Sequence, residues 1–424
     1  MITFQEATDI VLSNSLNLPS LIIPLSECVG RVLAEDILAD RDMPPFNKAA
    51  VDGFACRRAD LIFKPQEHSG RGLKIIETIP AGYRPSLYIT EGECSRIMTG
   101  AVVPEGADYI LMVEESEVNE RYMKTRADSP SFGGGNKPAV KGSNICYKGE
   151  DIRKGETILK AGTTIGTAHI AALAGNGVCR VRVSAQPKIG VFSTGDEIVE
   201  PEVTPLDYQI RDSNGMQLTA QAKSCSHHVT FYGVVKDSEQ ELHLAIQKAS
   251  DECDILIITG GVSMGEFDYV PKVLTGCGFK TLFDKIAVQP GKPSTFGVKE
   301  VFTNLNRDGS PEKKVVFALP GNPVSSYIQF EMLIRPFIIK SMGGGHLPKS
   351  IMMTAGKDFD RRRSERCALI PVSTDKEGIF MPVNYNGSAH ILAMTLANGV
   401  AIIPSGIKKI SKGERAEVII LHQS

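Results

Sequence analysis

The chain has 424 residues, and its 42% apolar and 23% charged content is typical of globular proteins. The 47 basic and 49 acidic residues give a net charge of −2, which argues against a protein that binds nucleic acid through a basic surface. No stretch approaches the roughly 18 apolar residues that cross a bilayer, and the first residues lack the pattern of a secretion signal. The nine scattered cysteines form no CxxC pair, so we expect free thiols in the cytoplasm rather than disulfides or a structural zinc site.

The first part of the chain is predicted to form one helix followed by short strands and turns. Residues 3–13 have apolar side chains at helical spacing, and Thr3 with Glu6 has the pattern of a capping box. A β-rich stretch covers residues 44–140, with candidate strands at 73–79, 94–98 and 108–113. Closely spaced glycines in 140–166 indicate small β-turn units, and a short helix is expected at 167–176.

From about residue 187 the pattern changes to strands that alternate with helices. The predicted strands are 189–195, 228–235, 254–261, 280–288 and 315–319, and the predicted helices are about 213–224, 238–250, 268–276 and 323–339. This alternation is typical of a doubly wound, parallel α/β sheet. After Gly343 the chain contains short strands such as 401–404 and 416–421, which predict a small C-terminal β-barrel.

Three predicted strands of the α/β region end in loops of small residues. These loops are 193–197 (STGDE), 259–268 (TGGVSMGEFD) and 319–325 (LPGNPVS), and a further loop, 289–294 (QPGKPS), lies between the last two. Ligands of open parallel sheets bind at the carboxyl ends of the strands, and glycines let the backbone N–H groups approach a ligand closely. Because Pro323 suits the first turn of a helix, whose N-terminus attracts anions, the loops predict a ligand that carries phosphate or another oxyanion.

Nearby carboxylates at Glu197, Asp237 and Asp268 would repel a bare phosphate. They are consistent with such a ligand if a divalent cation such as Mg²⁺ bridges the two. The region has neither a Walker A motif nor a GxGxxG motif after a strand, which disfavours a P-loop NTPase and a dinucleotide oxidoreductase.

Several polar residues admit both a structural and a functional interpretation. Asp212 suits a helix cap as well as a site residue, and Arg211 suits a phosphate as well as a carboxylate. The rigid loop 43–57 is either a tight turn or an arm that holds Asp52. The basic run at 361–366 is either a solvated face or, with Gly387-Ser388, part of an oxyanion pocket, since Arg donates two hydrogen bonds to such anions.

Taken together, the motifs resemble one family. The segments PPFNKAAVDGFA, RIMTGAVVPEGAD, GEDI, VFSTGDE, IRDSN, ITGGVSMGEFD, VQPGKP and LPGNPVSSY occur in the order and spacing of the MoeA family, the molybdopterin molybdenumtransferases, which are related to the E domain of gephyrin. The resemblance covers essentially the whole chain.

The resemblance implies a multidomain fold with α/β and β parts. These are a linking domain (1–43 and 141–184), a β-rich, lemon-shaped inserted domain (44–140), a MogA-like doubly wound α/β domain (185–342) and a C-terminal β-barrel domain (343–424). It also implies a cytoplasmic homodimer whose cleft lies between the α/β domain of one subunit and the N-terminal parts of the other. The implied reaction inserts molybdate into adenylylated molybdopterin and releases AMP with the help of Mg²⁺. The adenylyltransferase that makes this substrate and the proteins that mature molybdoenzymes are further implied partners.

Residue roles follow from the resemblance motif by motif. Asp52, Thr99 and Asp151 should face the cleft as catalytic residues, and Glu197, Asp237 and Asp268 should hold Mg²⁺ or direct the pyrophosphate and the attacking oxygen. The residues expected to bind the nucleotide phosphates, the pterin and molybdate are Gly260, Gly261, Ser263, Gly265, Lys285, Lys292, Pro293, Ser294, Pro320, Gly321, Asn322, Pro323, Ser325, Arg366 and Ser388.

The sequence departs from the family pattern in two places. Gln289 precedes PGKP where the family usually has Lys, which removes one positive charge from the expected molybdate pocket. Ala49 stands where the family more often has Ser, so one hydroxyl is absent from the loop that carries Asp52.

Alternative functions remain open at this stage. They are the smaller adenylyltransferase that shares the α/β domain, a non-catalytic binding or scaffold protein of the same fold, and a paralogue that handles tungstate. The adenylyltransferase is disfavoured because this chain has three further regions, and the scaffold because no long linker is present.

Overall fold

The computed structural model describes residues 1–62, 72–126, 143–262, 269–305, 311–345, 350–384, 387 and 390–421. The chain forms two compact units. The first comprises residues 1–35, 161–166 and 180–424, and the second comprises residues 36–160 and 167–179.

The first unit contains a six-stranded α/β sheet. Its strands, numbered in chain order, are β1 Ile189–Thr194, β2 Val229–Val235, β3 Ile255–Thr259, β4 Lys280–Lys285, β5 Pro293–Leu305 and β6 Pro311–Leu319. The spatial order is β2-β1-β3-β6-β5-β4, and the first four of these strands are mutually parallel, as the sequence predicted. Strand β5 is antiparallel to both of its neighbours. Strand β5 does not follow from the sequence pattern, because Lys299 and Glu300 interrupt its apolar residues.

Helices cover both faces of this sheet. They are Asn214–Lys223, Glu239–Glu252, Val270–Gly276 and Pro323–Gln329, the last of which continues through the π-helical turn Phe330–Ile334 into Arg335–Ser341. Consecutive residues of β3 belong to the apolar cores on opposite faces of the sheet. Ile257 is in the same core as Leu218 and Phe337, whereas Ile258 is in the same core as Leu242. This two-sided burial confirms the predicted doubly wound architecture.

The N-terminal helix and the C-terminal strands complete the first unit. The helix Phe4–Ser13 begins at Thr3, whose hydroxyl and backbone form the predicted capping box with Glu6. Five strands form the predicted closed barrel: Cys367–Thr374, Ile379–Pro382, Ser350–Ala355, Arg415–Ile420 and Gly399–Ile403, the last of which pairs again with the first. Shorter elements are the strand pairs Ser20–Pro24 with Arg180–Ser184, Ile198–Val199 with Ile210–Arg211 and Phe359–Asp360 with Lys409–Ile410, and the 3-10 turns Leu25–Glu27 and Ile391–Leu396.

The second unit is built on a six-stranded sheet. In spatial order its strands are Tyr109–Met112, Gly53–Cys56, Glu93–Ile97, Leu73–Ile79, Tyr122–Thr125 and Ser116–Asn119. Its other elements are the helices Arg58–Ile62 and Thr167–Gly175, the 3-10 turn Val113–Glu115, and the strand pairs Lys48–Ala49 with Ile145–Cys146 and Ile37–Leu38 with Thr157–Leu159. Across the described part of both units, no helix combines the length and apolar character needed to span a membrane.

Candidate functional site

One edge of the α/β sheet gathers the predicted loops. Strand register places Ser193 beside Thr259, and Thr259 beside Leu319, so that β1, β3 and β6 end side by side. Val235, the last residue of β2, lies beside Thr194. The loops that follow these four parallel strands therefore leave from the same edge, where ligands of such sheets bind.

The loop 289–294 belongs to the same edge. It connects β4 to β5, and these strands pair with Lys285 opposite Pro293. Because Thr295 of β5 lies opposite Ala318 of β6, the start of β5 is level with the end of β6. The structure thus brings the QPGKPS motif to the edge that carries the glycine-rich loops.

Buried polar side chains tie the strand ends together beneath the loops. Asn214 Nδ2 donates hydrogen bonds to Thr259 Oγ1 at 3.1 Å and to the Gly321 carbonyl at 2.7 Å. Asn214 and Thr259 are 7% and 1% exposed. Neither residue was among the predicted site residues. Asn214 could have been found from the sequence only as the last residue of the IRDSN motif.

Asp212 supports the first turn of a helix from the position before the N-cap residue, Ser213. Its carboxylate is 4% exposed and accepts hydrogen bonds at 2.9 Å from the Gly215 backbone N–H and from Ser193 Oγ. These contacts give Asp212 the structural role rather than that of a site residue, because together they fix the start of the helix Asn214–Lys223 to β1. Arg211 is exposed, and its Nε donates to the Val203 carbonyl at 3.2 Å rather than to a carboxylate.

The two glycines after β3 lie where side chains have no room. A Cβ on Gly260 would overlap the carbonyl oxygen of Thr194, and both Gly260 and Gly261 have positive φ, at 100° and 61°. A Cβ on Gly321 would be 3.8 Å from the Cα atom of Gly260, so the loops after β3 and β6 are in contact. This backbone-only packing is the property that phosphate-binding loops need.

Two of the three predicted carboxylates lie on adjacent loops at this edge. Asp237 accepts a hydrogen bond from Thr194 Oγ1, and its backbone N–H donates to Asp196 Oδ1 at 3.3 Å. Glu197 is exposed, and its carboxylate lies beside Gly195. Within the described ranges, no group of three His, Cys, Asp or Glu residues is close enough to hold a metal ion. The predicted residues Ser263, Gly265, Asp268 and Ser388 lie outside those ranges.

Arg366 approaches the 289–294 loop. The segment Val288–Gln289 pairs with Cys367–Ala368, and an Arg366 guanidinium nitrogen donates to the Val288 carbonyl at 3.3 Å. Gln289 and Lys292 are exposed. The structure therefore places Arg366 against the start of the segment that leads into the loop with Lys292.

Other predicted binding residues are less accessible. Ser294 is 2% exposed and donates its hydroxyl to the Gly291 carbonyl at 2.9 Å, and Ser325 is also 2% exposed. Lys285 is half-buried, and its Nζ lies 3.6 Å from Asp284 Oδ2, with which it forms an ion pair. In the basic run, Arg361 is buried and donates to the carbonyls of Pro404 and Ile407 at 3.3 and 3.0 Å, so this member of the run has a structural role.

The remaining predicted positions around the PGNP motif are Pro320, Gly321, Asn322 and Pro323. Pro320 is buried and Pro323 half-buried, whereas Gly321 and Asn322 are exposed. Pro323 occupies the first turn of its helix, as predicted. Pro293, the first residue of β5, is half-buried.

In the second unit, Asp52 and Thr99 form a direct pair. Asp52 Oδ1 accepts hydrogen bonds from the Thr99 backbone N–H at 2.6 Å and from Thr99 Oγ1 at 2.8 Å. These two donors hold the pKa of the exposed Asp52 carboxyl below its usual range. The carboxylate is therefore ionised at neutral pH.

The loop that carries Asp52 contacts two other motif segments. The Gly100 backbone N–H donates to the Ala49 carbonyl at 2.8 Å, and Lys48–Ala49 pairs with Ile145–Cys146. Asp151 is exposed, and its backbone N–H donates to the Met43 carbonyl at 3.0 Å. The loop 43–57 is thus held by both the IMTG and the GEDI segments.

Comparison with known proteins covers almost the whole chain. Residues 2–177 match the MoeA N-terminal region (domain I and II), residues 190–340 match a probable molybdopterin binding domain, and residues 356–421 match the MoeA C-terminal region (domain IV).

Full-length relatives agree with these matches. Proteins named molybdopterin molybdenumtransferase from Staphylococcus epidermidis and Staphylococcus aureus are 32% and 31% identical over 425 residues, which cover 99% of this chain and 95% of each relative. A solved structure of a molybdopterin biosynthesis MoeA protein from Pyrococcus horikoshii is 27% identical, with a TM-score of 0.79 over 99% of this chain and 100% of that one. The chain therefore belongs to the MoeA family, the molybdopterin molybdenumtransferases of molybdenum cofactor biosynthesis.

Proposed function

We propose that this protein inserts molybdate into adenylylated molybdopterin and releases AMP in a Mg²⁺-dependent reaction. The observation that supports this best is the shared edge of the α/β sheet. Glycine loops suited to a pyrophosphate, carboxylates suited to a divalent cation, and Lys292, suited to an oxyanion, all lie in loops at that edge. Arg366, from the start of a barrel strand, contacts Val288 beside the loop that carries Lys292.

The glycine loops would bind the nucleotide part of the substrate. Backbone N–H groups at Gly261 and Gly321 can approach the pyrophosphate without interference from side chains, while the Gly260 N–H donates to the Leu319 carbonyl at 3.1 Å and links the two loops. Asn214 and Thr259 hold these loops at fixed separation, so little reorganisation is needed when the substrate binds.

Glu197, Asp237 and Asp268 are the proposed Mg²⁺ ligands. The carboxylates of Glu197 and Asp237 fit a hard cation, which prefers oxygen donors and commonly completes its shell with phosphate oxygens. When bound, Mg²⁺ supplies neutralisation of charge on the pyrophosphate. Thr194 orients the Asp237 carboxylate through its hydrogen bond.

Lys292 and Arg366 would hold the substrate molybdate beside the pyrophosphate. Arg donates through a planar fork, and Lys adds a mobile point charge, so the two together suit a dianion. In the proposed reaction, an oxygen of molybdate or of water attacks a phosphorus of the pyrophosphate, and the bridging P–O bond breaks so that AMP departs. The two dithiolene sulfurs bind the molybdenum and release their thiol protons, while one molybdate oxygen leaves, on the phosphate in the first case or as water in the second. We propose the cytoplasm as its location, where thiols such as the nine in this chain stay reduced.

The central experiment measures AMP release from adenylylated molybdopterin by the purified protein with Mg²⁺, with and without molybdate. Release that depends on molybdate supports the proposal. Tight binding of the substrate without release would instead support a carrier or scaffold, and a lower half-saturating concentration for tungstate than for molybdate would identify a tungstate enzyme.

The proposal includes a homodimer in which Asp52, Thr99 and Asp151 of one subunit serve the α/β domain of the other. Asp52→Asn keeps the acceptor for Thr99, and Asp237→Asn keeps the acceptor for Thr194, so both variants should fold. Each is expected to be inactive alone. Co-expressed, they should give about a quarter of wild-type activity, because half of random dimers are mixed and each mixed dimer has one intact site. Activity no greater than that of the separate variants would contradict a site shared between subunits.

A further inference from the structure

Gln329 places a buried amide beneath the 289–294 loop, and the proposed reaction assigns it no role. Its side chain is 0% exposed, and among the described residues neither Nε2 nor Oε1 has a hydrogen-bond partner. A Cβ on Gly291 would overlap Gln329 Nε2 and would lie 3.0 and 3.1 Å from Cγ and Cδ. The amide therefore packs directly against the loop backbone at its glycine.

The surroundings of Gln329 do not explain why the residue is polar. Its neighbours along the helix, Ile328 and Phe330, belong to the largest apolar core of the unit. Nearby polar groups are satisfied, since Ser326 Oγ donates to the Pro323 carbonyl and Glu331 binds Arg335. An unpaired buried amide costs free energy that an apolar side chain of the same size would not. Packing alone therefore favours a different residue at position 329.

The loop above the amide is held at both ends, whereas two of its side chains are exposed. Val288–Gln289 pairs with Cys367–Ala368, the Ile286 N–H donates to the Lys292 carbonyl at 3.0 Å, and Ser294 Oγ donates to the Gly291 carbonyl at 2.9 Å. The side chains of Gln289 and Lys292 are exposed. With φ at 98° and no side chain, Gly291 lets the backbone lie directly against the amide, so a small shift of the loop can bring a backbone group into hydrogen-bond geometry with it.

We propose that Gln329 is a positioning residue of the 289–294 loop, whose amide hydrogen-bonds to the loop backbone when an oxyanion binds to Lys292. This inference rests on the proposed function, because it takes molybdate to be the oxyanion. The amide gains partners only in the bound state, and a group that is better satisfied in one state shifts the equilibrium toward it. The unsatisfied amide thus destabilises the free protein and strengthens capture of the anion.

The test replaces Gln329 with Met, which has a similar volume and no strong hydrogen-bonding atoms. Without oxyanion, the melting temperature of Gln329→Met should equal or exceed that of the wild type. The half-saturating molybdate concentration for AMP release should rise about five- to thirtyfold, as expected for the loss of one or two neutral hydrogen bonds, with kcat unchanged. The rise in melting temperature produced by molybdate alone should shrink correspondingly, which provides a readout that is independent of turnover.

Thr219→Val is the matched control. The Thr219 hydroxyl is also buried without a partner among the described residues, but it lies in the helix Asn214–Lys223 and not against the loop. This variant should have a melting temperature equal to or above the wild-type value and an unchanged half-saturating molybdate concentration. Gln329→Leu should change both quantities in the same sense as Gln329→Met.

A lower melting temperature of Gln329→Met with unchanged half-saturation would overturn the inference, because it would show an ordinary packing role. An equal loss of molybdate affinity in Thr219→Val would also overturn it. These outcomes differ from failure of the proposed function, which would appear as absence of molybdate-dependent AMP release in the wild type.

Discussion

Asn214 is the residue whose removal tests the organisation of the site most directly. Its side chain bridges the end of β3 to the loop after β6, through hydrogen bonds of 3.1 Å to Thr259 and 2.7 Å to the Gly321 carbonyl, and Thr259 Oγ1 adds a longer hydrogen bond of 3.3 Å to the Pro320 carbonyl. Asn214→Ala removes both donors within a buried site. The loops at 260–262 and 320–322 should then open more readily, while the sheet itself stays formed.

The magnitude follows from these two contacts. Each neutral hydrogen bond contributes about 1 kcal/mol, and leaving the Gly321 carbonyl unpaired adds a part of its desolvation cost, so the local opening free energy should fall by about 2–3 kcal/mol. Unfolding of a chain with several domains is not two-state, so the quantity to measure is local. Hydrogen exchange of the backbone amides of residues 260–262, 321 and 322 should accelerate about 30- to 150-fold, at tenfold per 1.4 kcal/mol.

The control for this measurement is Met216→Ala, at an exposed position of the same helix. It should leave exchange in both loops within about twofold of wild type, since surface substitutions usually change stability by less than 0.5 kcal/mol. Equal exchange rates in Asn214→Ala and Met216→Ala would refute the claim that the Asn214 bridge holds the loops. Exchange that accelerates throughout the sheet would refute the claim that its effect is local.

Three further predictions concern charges. Hydrogen bonds from Thr99 lower the pKa of Asp52, so the stability that they contribute is present above the unfolded-state pKa and is lost as pH falls through the folded-state pKa. Thr99→Val should raise the folded-state pKa of Asp52 toward the usual range in an NMR titration. An unchanged pKa would count against the hydroxyl contact. Arg335→Met should lower the stability of the folded state by about 3–5 kcal/mol, because it leaves the Glu331 carboxylate buried without its cation. Adding Glu331→Leu to Arg335→Met should recover most of the lost melting temperature. No recovery would contradict the view that the buried, unpaired charge causes the loss. Gln289→Lys should lower the half-saturating molybdate concentration about tenfold, because a charged hydrogen bond exceeds a neutral one by about 1 kcal/mol or more, and no change would exclude position 289 from the anion site.

Most of the α/β architecture could be predicted because its signals are local. Apolar runs such as 189–194 and 255–259 are fully buried strands, and their alternation with helices leaves few arrangements. Strand β5 was missed since its edge of the sheet is antiparallel and tolerates charged residues such as Lys299. The barrel was predicted only as a class, because its closure depends on the pairing of strands that are distant in sequence, such as Cys367–Thr374 with Gly399–Ile403.

The residues of the candidate site likewise differ in whether a local sequence pattern reveals them. Motif residues on loops, such as Glu197 and Lys292, carry unusual sequence patterns and could be selected from sequence alone. Residues that act from below, such as Asn214 and Gln329, could not, because a buried amide looks like any polar residue until its partners are known. The same limit applied to Asp212, where the two interpretations were separated only by its contacts with Ser193 and Gly215.

The polar layer under the loops resolves an apparent conflict in the site. Glycines such as Gly260 and Gly321 allow the backbone to approach a pyrophosphate, but they also make loops flexible, and a flexible loop loses entropy when it binds. The side chains of Thr194, Asn214 and Thr259 reduce that loss, because they fix the ends of the loops through buried hydrogen bonds. The backbone N–H groups above them remain free of side-chain obstruction. A rigid support beneath an open backbone surface is therefore what lets glycine-rich loops bind phosphate in one geometry.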